Sequence, residues 1–273
     1  MDYNRKIDFA IKLLRSIPQD GTIELSYSGG KDSDVILELA KMAGIPFEAI
    51  YKNTTIDPPG TIKHCRDNGV KVVQPKETFF KLVEKSGLPN RWRRFCCEHL
   101  KEYKIHDRAI QGIRREESRK RAERYKEPEY CRTYKKGENV RIYLPILEWT
   151  LDDVQRFIED RKIKLAPAYY DDKGECHYDR RLGCLGCPLA SIKHRRESFL
   201  KYPGMLRAYI NAGKTFMINH TESIITRKNR DIYEKMFKDL FFDTVKEAED
   251  YLDCEIFPLD TKAFLESYFG IAL

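Results

Sequence analysis

No stretch of this chain approaches the roughly twenty consecutive apolar residues that a membrane-spanning helix needs. Charged side chains make up 34% of the sequence, and mean hydropathy is −0.61. A signal-peptide pattern is also lacking. Met1-Asp2-Tyr3-Asn4-Arg5-Lys6 leads instead into an amphipathic helix carried by Ile7, Ala10, Ile11 and Leu14. These absences exclude a membrane-spanning helix and give the expectation of a cytoplasmic chain with no membrane partner. There is no internal repeat and no low-complexity tract. The six histidines form no His-Glu-x-x-His pattern, so His64, His99, His106, His194 and His220 carry no metal signature. Eight cysteines in a reducing compartment do not read as disulfides, which turns the question to metal binding or catalysis.

Residues 26–33 read Ser-Tyr-Ser-Gly-Gly-Lys-Asp-Ser and follow the short apolar run Thr22-Ile23-Glu24-Leu25. The order is strand, Gly-Gly turn, helix. Glycine lets backbone N–H groups approach and face an anion, and the helix N-terminus adds partial positive charge. Lys31 adds a full charge, and Ser33 is the expected cap of the helix. That helix is predicted from Val35, Ile36, Leu39, Ala40 and Ala43, and ends at Gly44-Ile45-Pro46. Phe47-Glu48-Ala49-Ile50-Tyr51 reads as the next strand, completing a βαβ unit with the loop at the carboxyl edge of a parallel sheet. The loop is neither a Walker loop nor a Gly-x-Gly-x-x-Gly turn. It is suited to a polyphosphate; the plainer alternative is a glycine turn capping an ordinary helix.

Further strands are expected at Lys71-Val72-Val73, over 105–113 and over 141–146, and further helices over 60–68 and 77–85. Another helix starts at the capping-box-like Thr150-Leu151-Asp152-Asp153 and uses Val154, Phe157 and Ile158 as its apolar face. Alternating strands and helices indicate a doubly wound, mostly parallel α/β sheet. Past Ser191, residues such as Phe199, Leu206, Tyr209 and Ile210 suggest helices only. The expected division is therefore an α/β nucleotide-binding domain at 1–190, carrying the cysteine site, and a C-terminal helical appendage at 191–273.

Net charge is +7. The segment Arg114 to Lys136 holds ten Lys/Arg against five Glu and accounts for most of that excess. It could face the phosphates of a nucleotide or a nucleic acid, or be a solvated flap. Arg114 and Arg121 follow the strand ending at Gly112, on the same sheet edge as the glycine loop. Planar guanidinium groups bind phosphate or sulfate in a bidentate manner, with Glu117 available to orient one of them.

Cys96 and Cys97 are adjacent, and Cys184-Leu185-Gly186-Cys187 lies 87 residues beyond Cys97. A Cys-x-x-Cys turn places two thiolates on one centre. An adjacent pair is strained on a single tetrahedral ion, whereas a cubane offers each thiolate its own iron. The four thus favour a [4Fe–4S] cluster. Zinc held by Cys176, His177, Cys184 and Cys187 is the alternative, and cysteines packed as small hydrophobes the third reading.

Ser28-Gly29-Gly30-Lys31-Asp32-Ser33 matches the Ser-Gly-Gly-x-Asp-Ser loop of the PP-loop ATP pyrophosphatases. Four further elements resemble the phosphoadenosine phosphosulfate (PAPS) reductase family of the adenine nucleotide alpha hydrolase-like superfamily, in its iron–sulfur branch. They are the Cys-Cys…Cys-x-x-Cys pattern, Gly112-Ile113-Arg114 through Arg121, Pro145-Ile146-Leu147-Glu148-Trp149-Thr150 with Asp153-Val154, and Tyr169-Tyr170-Asp171 followed by Leu182 through Pro188. The resemblance runs from about residue 22 to 190. It implies that Ser28, Gly29, Gly30, Lys31, Asp32, Ser33, Gly112, Arg114, Ser118 and Arg121 bind an adenine nucleotide, that Lys31, Asp32 and Arg114 serve catalysis, and that Cys96, Cys97, Cys184 and Cys187 hold the cluster. The nucleotide is ATP with Mg²⁺, or adenylyl sulfate or PAPS.

Two chemistries follow from that resemblance. In one, ATP adenylylates an acceptor and sulfur then displaces AMP, as in DNA phosphorothioation and tRNA thiolation. This implies a nucleic-acid acceptor and a sulfur-donor partner such as a cysteine desulfurase. In the other, a reductase with thioredoxin as partner converts adenylyl sulfate or PAPS to sulfite. The last cysteine, Cys254, sits in Asp253-Cys254-Glu255 rather than in a Glu-Cys-Gly tail, which departs from the reductase pattern. A non-catalytic nucleotide- or redox-sensing module is the reading from another class, and the intact loop argues against it.

Overall fold

The computed structural model describes residues 2–134 and 137–220, grouped in two compact units. The first comprises Met1–Asn53, Asp57–Gln74 and Lys101–Gly183. The second comprises Thr54–Ile56, Pro75–Leu100 and the described residues from Cys184 to 220.

The first unit holds a six-stranded sheet. Its strands are β1 (Ile23–Tyr27), β2 (Glu48–Lys52), β3 (Lys71–Val73), β4 (Arg108–Gln111), β5 (Glu129–Thr133) and β6 (Asn139–Tyr143). The order is β3-β2-β1-β4-β6-β5. All neighbouring pairs are parallel except the antiparallel β5–β6 hairpin. Among the helices of this unit are α1 (Tyr3–Arg15), α2 (Lys31–Ala43), α3 (Thr61–Asp67) and, later in the chain, α7 (Leu151–Asp160). The largest core gathers Leu14, Ile23, Leu25, Val35, Ile36, Leu39, Tyr143, Trp149 and Phe157, with Ala40 and Ala43. A second cluster packs Ala109, Val140, Ile142, Leu144 and Leu147 with Tyr125 and Tyr130.

Strand order reverses between β1 and β4, where Ser26 pairs with Gln111. Both strands end on the same edge. The crevice outside such a reversal is where open α/β sheets bind ligands. The expected α/β architecture is therefore present, and its two candidate loops flank the reversal. β1 is covered on both faces, so even Glu24 is buried. Its carboxylate is satisfied by Ser26 Oγ at 2.8 Å and Lys52 Nζ at 3.3 Å.

Some elements differ from the sequence expectation. The strand anticipated at 141–146 runs Asn139–Tyr143, and the chain then turns through Leu147 N–H to Leu144 O; Pro145 has no N–H with which to continue a ladder. β5 lies in the stretch read only as a basic segment. It is an edge strand of alternating exposure whose pattern is weak, and only the ladder to β6 defines it. α7 begins with the expected capping box, Thr150 and Asp153 each bonding the other's backbone N–H.

The second unit contains α4 (Phe79–Ser86), α5 (Phe95–Leu100), α8 (Ile192–Lys201) and α9 (Pro203–Asn219). Its core joins Phe79, Leu82, Val83, Phe199, Leu206, Tyr209 and Ile210, with Cys96 and Cys184 packed at its margin. The remaining short helix, α6 (Arg119–Arg124), belongs to the first unit. Cys254 and the tail expectation attached to it fall outside the described residues.

Candidate functional site

The glycine loop sits between β1 and α2. Gly29 has φ +77°, a conformation that favours glycine. A Cβ at Gly29 would stand 2.9 Å from Thr61 Cγ2, so α3 closes against the loop. At Gly30 it would stand 3.3 Å from Tyr169 Oη. Helix α2 starts at Lys31 with Gly30 as its N-cap, so Ser33 lies inside the first turn rather than at the cap. An extended Gly30 takes the cap position, and Ser33 Oγ donates to Gly30 O at 2.6 Å. Ser28 Oγ bonds Ser33 Oγ at 3.3 Å and accepts the Gly30 N–H at 3.3 Å.

Lys31 is buried. Its Nζ lies 3.4 Å from Arg180 O, 3.6 Å from Asp32 Oδ2 and 5.7 Å from the centre of the Tyr169 ring. Its backbone N–H donates to Tyr169 Oη at 3.0 Å. Tyr169 is buried, and burial is the main force pushing its phenol up.

The Gly112 element meets this loop directly. A Cβ on Gly112 would stand 2.8 Å from Asp32 O, so only glycine lets the end of β4 pass the first turn of α2. Arg114 is buried and donates through Nε to Asp32 Oδ1 at 2.6 Å and through Nη1 to Glu116 Oε2 at 2.8 Å. Burial opposes its charge, but Asp32, Glu117 and Glu116 outweigh that, so its pKa moves up. Glu117 accepts the Arg114 N–H at 3.3 Å, pairs with Arg121 through Oε1, and takes Arg181 Nη2 on Oε2 at 2.7 Å. Ser118 caps α6, its Oγ accepting Arg121 N–H at 3.3 Å.

Every nucleotide-site residue expected from the sequence thus lies in the first unit, and most share one hydrogen-bonded network at the strand reversal. Sequence reasoning gave no role to Tyr169, Arg180, Arg181 or Thr61. It also read His64 as uninvolved. His64 is buried, with Nε2 at 3.0 Å from Asp34 Oδ1, and Tyr27 Oη donates to the same carboxylate. Burial pushes the Asp34 carboxyl up, with His64 and Tyr27 opposing. Cys65 beside them is pushed up to about 12 by burial. The one available signal was Asp34 standing directly before the apolar run Val35-Ile36-Leu37 of α2.

The four thiols expected at a metal centre all lie in the second unit. The Cys184-to-Cys187 turn closes with Cys187 N–H to Cys184 O at 3.3 Å. It is anchored by Leu185 N–H to Ile56 O at 2.8 Å and Tyr209 Oη to Leu185 O at 2.7 Å. Gly186 (φ +69°) is required there, since a Cβ would stand 2.6 Å from Phe199 Cζ. The neighbouring Cys97, burial, and Cys184 and Cys187 nearby together push the Cys96 thiol upward. Four partly buried thiols in one unit, three of which bear on Cys96, are a donor set fit for a metal group. Among the described residues no three of them lie within 4.8 Å of one another. His177, named in the zinc alternative, pairs instead with Asp171 at 2.9 Å.

The fold and its loop define a PP-loop type of α/β protein. Residues 22–190 match the phosphoadenosine phosphosulfate reductase domain, and the chain belongs to that family. An uncharacterized protein of Methanocaldococcus jannaschii is 31% identical over 73% of this chain and 49% of its own length. Sulfate adenylyltransferase subunit 2 of Shewanella baltica is 27% identical over 60% of this chain and 66% of its own length. The chain therefore spans about half to two thirds of these relatives. A solved PAPS reductase from Candida auris superposes with TM-score 0.47 at 15% identity, covering 67% of this chain and 93% of that one. No helix among the described residues is long and apolar enough to cross a membrane.

Proposed function

We propose that the loop at Ser28–Ser33 binds the phosphate tail of ATP and that the protein transfers the adenylyl group to an acceptor, which sulfur then attacks. The observation that carries the reading is the network Lys31–Asp32–Arg114 at the strand reversal, with Gly112 making its close approach possible. Backbone N–H groups of the loop and Lys31 would hold the β- and γ-phosphates, which leave as pyrophosphate when the acceptor oxygen bonds the α-phosphorus. Arg114, fixed by Asp32 and Glu116, and Arg121, fixed by Glu117, would meet negative charge on the nucleotide or the acceptor. Asp32 would also stand near Mg²⁺.

A [4Fe–4S] cluster held by Cys96, Cys97, Cys184 and Cys187 would supply iron for binding sulfur or passing electrons. The thiol spacing supports it. The adjacent Cys96-Cys97 pair would be strained on a single tetrahedral zinc, whereas a cubane would offer each thiolate its own iron. A nucleic acid as acceptor is supported by a surface cleft of about 410 Å³ lined by Arg124, Tyr125, Lys126, Tyr130 and Arg132, where phosphate and base faces both find partners.

The test is pyrophosphate release from ATP·Mg²⁺ with candidate acceptors, which Lys31→Ala should abolish. Family membership favours a second reading, reduction of adenylyl sulfate or PAPS. Sulfite production from either by the anaerobic protein, with no pyrophosphate from ATP, would replace the first.

A further inference from the structure

The first amide of α2 is what a bound phosphate would use, and in this structure it already has an acceptor. Lys31 N–H donates to Tyr169 Oη at 3.0 Å, from 138 residues further along the chain. The Lys31 ammonium, buried and costly to leave unpartnered, rests near Arg180 O at 3.4 Å and Asp32 at 3.6 Å, with the Tyr169 ring below it. Leu182 packs over the glycines. Its Cδ2 would be 3.9 Å from a Cβ at Gly29, and its Cβ 4.0 Å from one at Gly30. Residues 169–182 thus supply the loop with a hydroxyl, a carbonyl and an apolar cover drawn from one segment.

We propose that Tyr169 is a positioning residue of the phosphate loop. In the nucleotide-free protein its hydroxyl stands in for a phosphate oxygen on the Lys31 amide, and a phosphate tail binds by displacing it together with the Arg180 carbonyl. The proposal rests on the nucleotide-binding reading above. It makes Tyr169 a competitor for the site: it holds Lys31 ready and lowers affinity for the phosphate tail. Removing the hydroxyl leaves the buried Lys31 N–H unsatisfied in the free protein, while phosphate satisfies it in the complex.

The experiment is calorimetric titration of wild type and Tyr169→Phe with inorganic pyrophosphate and with ATP·Mg²⁺, alongside thermal melts with and without pyrophosphate. One hydrogen bond's worth of competition predicts roughly three- to tenfold tighter binding by the variant. Its ligand-free Tm should be lower and its rise in Tm on pyrophosphate larger than that of wild type. A merely structural tyrosine lowers Tm without tightening binding, so unchanged or weaker binding overturns the proposal. Leu182→Ala, which thins the cover without touching the hydroxyl, should also bind tighter, and it decides the matter if Tyr169→Phe does not fold. Wild type that binds neither ligand overturns the nucleotide reading and this inference together. Wild type that binds while Tyr169→Phe, or Leu182→Ala where that variant does not fold, gains no affinity overturns this inference alone.

Discussion

Arg114 Nε lies 2.6 Å from Asp32 Oδ1, joining the loop after β4 to the first turn of α2. Two neighbouring parallel strands deliver these residues to one edge, and the ion pair then fixes both loops. The Arg114 side chain is 5% exposed and that of Asp32 19%, so solvent screens the pair only in part.

Arg114→Ala should therefore leave the partly buried Asp32 carboxylate with only Lys31, at 3.6 Å, and cost about 2 kcal/mol of stability, less than for a fully buried pair. Arg114→Lys keeps the charge but loses the fork that reaches Asp32 and Glu116 together, and should fall between. Urea denaturation at neutral pH measures both. An alanine variant as stable as wild type would contradict the structural role assigned to the pair.

Gly112→Ala tests close approach. Its Cβ would meet backbone, Asp32 O at 2.8 Å, which cannot rotate away. The expected loss is about 1–3 kcal/mol from overpacking, with pyrophosphate affinity reduced because the loop itself is displaced. Gly137→Ala is the control, since a Cβ there meets nothing within 4 Å, although its positive φ carries its own cost. A Gly112→Ala variant that binds pyrophosphate as wild type does would separate this element from the loop.

Asp34 gives a pH signature. Its carboxyl titrates above the ordinary 3.8, chiefly because it is buried, with Tyr27, His64 and Asp32 around it. A raised folded pKa means that the native state holds a proton the unfolded chain has released. Stability from this group is then complete below about pH 3.8 and is lost as pH rises toward the folded value. Asp34→Asn removes that term. Melting temperature plotted from pH 4 upward should fall less with rising pH in the variant than in wild type, and parallel curves would exclude the effect.

The thiols give a spectroscopic prediction. Anaerobic reconstitution with iron and sulfide should produce broad visible absorption that bleaches with dithionite, and Cys96→Ser or Cys187→Ser should reduce it strongly. Cys65→Ser, in the first unit, should leave it intact. A colourless protein that takes up one zinc per chain would replace the cluster with a mononuclear site.

Much of the fold was legible because its signals are local. The apolar spacing of Val35, Ile36, Leu39 and Ala40 marks α2, and Thr150 with Asp153 marks the start of α7. Parallel strands imply a shared edge, so Gly112 and Gly29 could be assigned to one side of the sheet before any coordinates. β5 was missed because its alternation is weak and its stability comes from β6. Ser33 was expected at the cap because Ser is a good cap, but an extended Gly30 came first. His64 looked ordinary because its partner Asp34 is 30 residues away.

The chain's own order of residues determined the loop, the helix behind it and the paired cysteine spacing, since each depends on backbone preferences within a few positions. Only the tertiary structure decided that Tyr169 accepts the amide at the head of α2, that Glu117 gathers Arg121 and Arg181, and that four thiols lie in one unit. Those facts concern which buried donor finds which acceptor, and packing brings such partners together across chain separations that no local preference encodes.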